Sequence, residues 1–193
     1  MLYAAFAIHI CVQAASVFLL VFPFVFLWQM FPSQRKKSFV YKVNIWLFVF
    51  YMCGIIWVTG LPTLADGMRL DFNLTLEPLH RFYGDRLQYF LNVLLFVPLG
   101  FLLPFIWKRY HPMRRTVLFS FGLSLFIELS QLFCARITDI NDLFMNTLGG
   151  ILGWLLWFCG RRFYIRAECG SHAVPVVILV ILAHFLGGGY IQM

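Results

Sequence analysis

The residues of this sequence whose types and spacing suit chemistry are the charged and amide side chains set inside or beside long apolar runs. Within 116–134, Ser120, Ser124, Glu128 and Gln131 recur at steps of four, four and three, a spacing that brings side chains onto one face of a helix. Glu128 is the one carboxylate inside an expected span. A carboxyl group in a partly desolvated pocket has a raised pKa, which suits it to taking or giving a proton near neutral pH. Arg136, Asp139 and Asp142 follow in a short turn. The planar fork of an arginine donates two parallel hydrogen bonds to a phosphate or carboxylate. In the run before, Gln88, Asn92 and Gly100 share a face; in the run after, Asp142, Asn146, Gly149 and Gly153 follow steps of four, three and four. The last two form a GxxxG, which admits a neighbouring backbone at close range. These patterns bring polar groups from three helices and a turn to one location. They name Glu128, Arg136, Asp139 and Asp142 as the candidate catalytic groups and Asn92, Gln131 and Asn146 as the candidate substrate-binding groups. A structural alternative stands beside this one, because buried amides also tie helices together and turn aspartates also cap them.

The elements that must position these groups are membrane helices. Of 193 residues, 62% are hydrophobic and 12% charged, with mean hydropathy +0.83, against about 45–50% apolar and about 25% charged in soluble chains. That much apolar surface excludes a water-soluble globule. Apolar runs at 3–30, 40–61, 88–107, 116–134, 143–160 and 173–190 are long enough to cross a hydrocarbon core as helices. The expected fold is therefore all-α, a polytopic bundle of about six transmembrane helices in the cell membrane. It divides into a hairpin at 1–61, a core of outer loop plus three helices at 62–160, and a last helix at 161–193. The apolar stretch from Leu2 to Met30 lacks a basic leader and exceeds a signal-peptide core, so it reads as a retained helix.

The formal charge of +7 does not point to nucleic acid, because the basic residues lie in short clusters between apolar runs. Arg35, Lys36 and Lys37, then Lys108, Arg109, Arg114 and Arg115, then Arg161, Arg162 and Arg166 occupy alternate connections. The positive-inside rule makes those three cytoplasmic. The acid-bearing connections at 62–87 and 135–142, and both termini, then face outward. With the fourth helix ending near Cys134, Glu128 lies roughly 9 Å below its outer end. Five cysteines show no paired spacing, and no HExxH, Walker loop or Ser–His–Asp order occurs. No metal site or cofactor is expected.

The sequence resembles the VanZ-like family, named for a membrane protein linked to teicoplanin resistance. The resemblance rests on Asn92-Val-Leu-Leu-Phe-Val-Pro-Leu-Gly100 with Pro104, Ile127-Glu128-Leu-Ser-Gln131, Arg136-Ile-Thr-Asp139-Ile-Asn-Asp142, and Asn146-Thr-Leu-Gly149-Gly150 with Gly153. It covers residues 70–157 and leaves out the first hairpin and the last helix. It implies an association with glycopeptide tolerance at the cell envelope and supplies no mechanism. On the residues themselves, the first reading is that the outward cluster binds or modifies an anionic, lipid-linked envelope component such as a cell-wall precursor. A non-enzymatic lipid binder or transporter, and a scaffold for other envelope proteins docking through the GxxxG, are the alternatives. A reporter fused after Met193 is expected to read as extracytoplasmic; a cytoplasmic reading overturns the orientation.

Overall fold

The computed structural model describes residues 2–31, 34, 37–63, 74–75, 86–133, 138–161 and 173–187. Among them are six α-helices: α1 (Leu2–Met30), α2 (Phe39–Thr59), α3 (Arg86–Ile106), α4 (Met113–Gln131), α5 (Ile140–Gly160) and α6 (Ala173–Gly187). A single 3-10 turn, Lys108–Tyr110, joins α3 to α4. The chain forms two compact units, one of residues 1–68 with 172–193 and one of residues 69–171.

The first unit packs α1, α2 and α6 on one another. Val17, Val21, Val25 and Gln29 recur every four residues and form the buried stripe of α1, as 3.6 residues per turn requires. α2 starts where the Ser38 hydroxyl accepts from the Tyr41 amide at 3.2 Å, satisfying one of the orphan amides of a helix start. It stops at Gly60, whose φ of 63° is left-handed and whose amide returns to the Ile56 and Trp57 carbonyls. Glycine enters that region without a Cβ clash. The buried His184 of α6 closes the unit, its Nε2 3.0 Å from the Leu61 carbonyl.

In the second unit α3 runs to the 3-10 turn, α4 returns, and α5 runs parallel to α3. The closest packing is between α3 and α5, and glycine makes it possible. A Cβ built on Gly100 would strike the Gly150 carbonyl, one on Gly149 the Val93 carbonyl, and one on Gly153 the Val97 carbonyl. Gly150 faces the other neighbour, where a Cβ would strike Ser120 of α4. The GxxxG admits a neighbouring backbone, as its spacing implies, and that backbone is this chain's own α3, which covers the face that the alternative scaffold reading assigns to other proteins. A two-residue parallel ladder pairs Leu74 with Thr138 and Thr75 with Asp139. It links the connection between α2 and α3 to the approach to α5.

α4 is inverted relative to a helix of a water-soluble protein. Thr116, Ser120 and Ser124 are fully buried and Glu128 and Gln131 nearly so, whereas Leu118 and Leu129 are 61% and 51% exposed. In water the hydrophobic effect would turn such a helix over. A hydrocarbon surround removes that drive and favours polar faces turned inward. Large apolar side chains are likewise exposed on the outer faces of α1, α2, α3, α5 and α6, among them Phe24, Leu47, Leu94, Leu156 and Ile178. Three helices, α2, α3 and α5, are long and apolar enough to cross a membrane by length and composition. α4 falls short of that measure, because Arg114 and Arg115 in its first turn add to Glu128 and the polar face. The molecule is a membrane protein, all-helical among the described residues apart from the two-residue ladder.

Gly153→Val is expected to destabilise the chain by about 1–3 kcal/mol or more through overpacking. Gly122→Ala, at an exposed helical position where a Cβ meets nothing within 4 Å, is expected to be neutral or stabilising by up to about 1 kcal/mol. Thermal unfolding of the detergent-solubilised variants checks both.

Candidate functional site

At the end of the second unit where α3 and α5 begin and α4 finishes, side chains from all three helices meet. Asn92, in the second turn of α3, donates its Nδ2 proton to Asp142 Oδ1 at 2.6 Å. One helical turn further into α5, Asn146 donates from Nδ2 to the Ser124 hydroxyl of α4 at 2.9 Å. Glu128 accepts the backbone N–H of Asp139 on Oε2 at 3.1 Å. Asp139 is the N-cap of α5, and its Oδ1 accepts from the Asn141 amide at 2.9 Å and from Asn141 Nδ2 at 2.7 Å.

Each position follows from local sequence. The i+4 spacing of Ser120, Ser124 and Glu128 turns them to one face of α4, and that face is buried. Asp139 caps because a short side-chain oxygen reaches the amides left unpaired in a helix's first turn. Glu128, Asp139 and Asp142 all gather at the N-terminus of α5, the positive end of its backbone dipole. That dipole favours negative charge at this end of α5. Such a cluster can take or give protons and accept hydrogen bonds from hydroxyl or amide groups of a ligand.

Of the residues singled out from the sequence, Asn92, Glu128, Asp139, Asp142 and Asn146 come together here, and Gln131 is buried one turn beyond Glu128. Arg136 lies outside the described residues, between Gln131 and Asp139 in the sequence. Gln88, expected to share the face of Asn92, is exposed. Helix α4 ends at Gln131, not near Cys134, so Glu128 stands only about 4.5 Å along the axis from the last helical residue. Asn141, 2% exposed and bonded twice to Asp139, was not singled out. It falls on no polar stripe, and the signal that finds it is its position two residues after a helix-capping aspartate. No group of three or more His, Cys, Asp or Glu among the described residues is placed to hold a metal ion.

A model of the VanZ/LLP1 family matches residues 17–162, three quarters of the chain. The chain belongs to the VanZ/LLP1 family. The match begins within α1 and includes the whole of α2, so the family signal reaches beyond the segment 70–157 in which the motifs lie. It ends just after α5 and takes in every residue of the cluster. No curated protein and no solved structure matches this VanZ/LLP1 chain.

The Asn92–Asp142 bond is a tie between α3 and α5, and its strength is measurable. A double-mutant cycle on Asn92→Ala and Asp142→Ala is expected to return a coupling of about 0.6–1.7 kcal/mol, the range of interhelical hydrogen bonds in membranes. Equilibrium unfolding in detergent reads it, and a coupling indistinguishable from zero overturns the assignment.

Proposed function

We propose that this VanZ/LLP1 protein is a multi-pass protein of the cell membrane. Its carboxylate–amide cluster lies at the outer face and binds or modifies an anionic, lipid-linked envelope component, with an effect on glycopeptide, and specifically teicoplanin, tolerance. The observation that supports this most is Glu128: a carboxylate 5% exposed on the inward polar face of α4, close to one helix end and accepting the Asp139 amide at the start of α5. An ionisable group so placed is costly, which makes it a functional candidate by default. Its depth suits contact with a headgroup. In this reading Arg136 engages the phosphate or carboxylate of the component, and Glu128 takes or gives a proton at a ligand hydroxyl or amide.

A second reading is favoured by the bonds already made within the cluster. Asn92 is engaged by Asp142 and Asn146 by Ser124, as expected of groups that hold helices in place and do not react. The protein is then a binder or carrier of the same component without chemistry of its own. In that case Asp142→Glu, which keeps the charge, is tolerated, because binding needs less exact geometry than proton transfer.

The test expresses the native chain or Glu128→Gln in a sensitive Gram-positive host, at membrane levels matched by immunoblot, and measures teicoplanin and vancomycin susceptibility. The expected result is raised teicoplanin tolerance with the native chain and none with Glu128→Gln. Equal tolerance for both makes Glu128 a packing residue and removes the acid–base role.

A further inference from the structure

The opposite end of the α3–α4–α5 unit has a character of its own. Lys108, Arg109, Arg114, Arg115 and Arg161 all stand there and all are exposed. The carboxylates described in this unit, Glu128, Asp139 and Asp142, sit at the far ends of α4 and α5. Among the described residues, no carboxylate neutralises these five cations.

The backbone that carries them is held in place. Arg115 donates from Nη1 to the Arg109 carbonyl at 3.1 Å and Thr116 from Oγ1 to the Tyr110 carbonyl at 2.7 Å, tying the 3-10 turn to α4. Trp154 donates from Nε1 to the His111 carbonyl at 3.0 Å, tying the turn to α5. Aromatic rings form a layer alongside. Tyr110 meets Phe119 edge-on at 5.4 Å, His111 lies 4.7 Å from Trp157, and the Arg161 guanidinium sits 4.1 Å over Phe158. Tryptophan, tyrosine and basic residues gathered at helix ends mark headgroup depth. Burial holds His111 below the ordinary histidine range against a hydrogen bond with the Pro104 backbone that raises it, and Lys108 and Arg161 press it further down. The positive charge of the collar therefore comes from lysine and arginine.

We propose that this collar is a binding site for the phosphate headgroup of an anionic phospholipid in the leaflet at that end of the bundle. The match is one of charge, since five cations with no neutralising carboxylate among the described residues stand at headgroup depth, where anionic lipid phosphates are concentrated. It is also one of shape, because arginine forks fit phosphate oxygens in pairs.

The test is native mass spectrometry of the full chain in non-ionic detergent with equimolar phosphatidylglycerol and phosphatidylcholine. The native chain is expected to retain phosphatidylglycerol in preference. Arg109→Gln with Arg114→Gln is expected to lower that preference about fivefold for each charge removed, with thermal unfolding unchanged. Arg86→Gln, at the other end of the unit, is expected to leave it alone. Equal retention of the two lipids by the native chain overturns the proposal, as does a preference that survives loss of Arg109 and Arg114. A preference cancelled by millimolar inorganic phosphate assigns the site to a soluble anion and likewise overturns it.

Discussion

The close approach of α3 and α5 is the constraint from which the rest of the three-helix unit follows. In lipid no hydrophobic drive presses helices together, so association rests on tight backbone contact and on hydrogen bonds between helices. Gly100, Gly149 and Gly153 supply the first. The Asn92–Asp142 and Asn146–Ser124 bonds supply the second, and short amide and carboxylate side chains span the gap because the backbones are already near. Gly150 adds a constraint from the other side, since the same turn of α5 has to admit Ser120 of α4. A single turn of α5 thus fixes the distance to both neighbours.

That packing also sorts charge along the unit. α5 begins with Asp139 at its cap and Asp142 in its first turn and ends against Arg161. Each sign sits where the helix dipole favours it. α4 runs the other way, bringing Glu128 to the acidic end and Arg114 and Arg115 to the basic one. Up-down-up topology with short connections is what lets antiparallel and parallel helices agree on which end holds which charge.

Much of this was legible in the sequence wherever the information is local. The six apolar runs match the six helices to within a few residues, and the four-residue rhythm of Ser120, Ser124 and Glu128 correctly marks the inward face of α4. The convergence of Asn92, Glu128, Asp142 and Asn146 was also readable, because the α3 and α5 stripes begin near the N-termini of their helices and the α4 stripe reaches Glu128 near the C-terminus of an antiparallel one. What resisted reading was the identity of partners. Nothing local says that Gly149 and Gly153 are covered from within the chain, or that α6 returns to α1 and α2. Helix ends were misplaced where polarity changes gradually: α4 takes in Met113, Arg114 and Arg115 and gives up the residues after Gln131. The family match starts at residue 17, in helices whose plain apolar composition offers no motif to the eye.

The inverted face of α4 bears on how the bundle is made. A segment carrying Thr116, Ser120, Ser124, Glu128 and Gln131 along one side partitions poorly into hydrocarbon while it stands alone. During synthesis the glycine face and Asn146 of α5 emerge only after α4 is complete. Ser124 and Glu128 therefore find their partners, Asn146 and the Asp139 amide, only in chain that is made after α4.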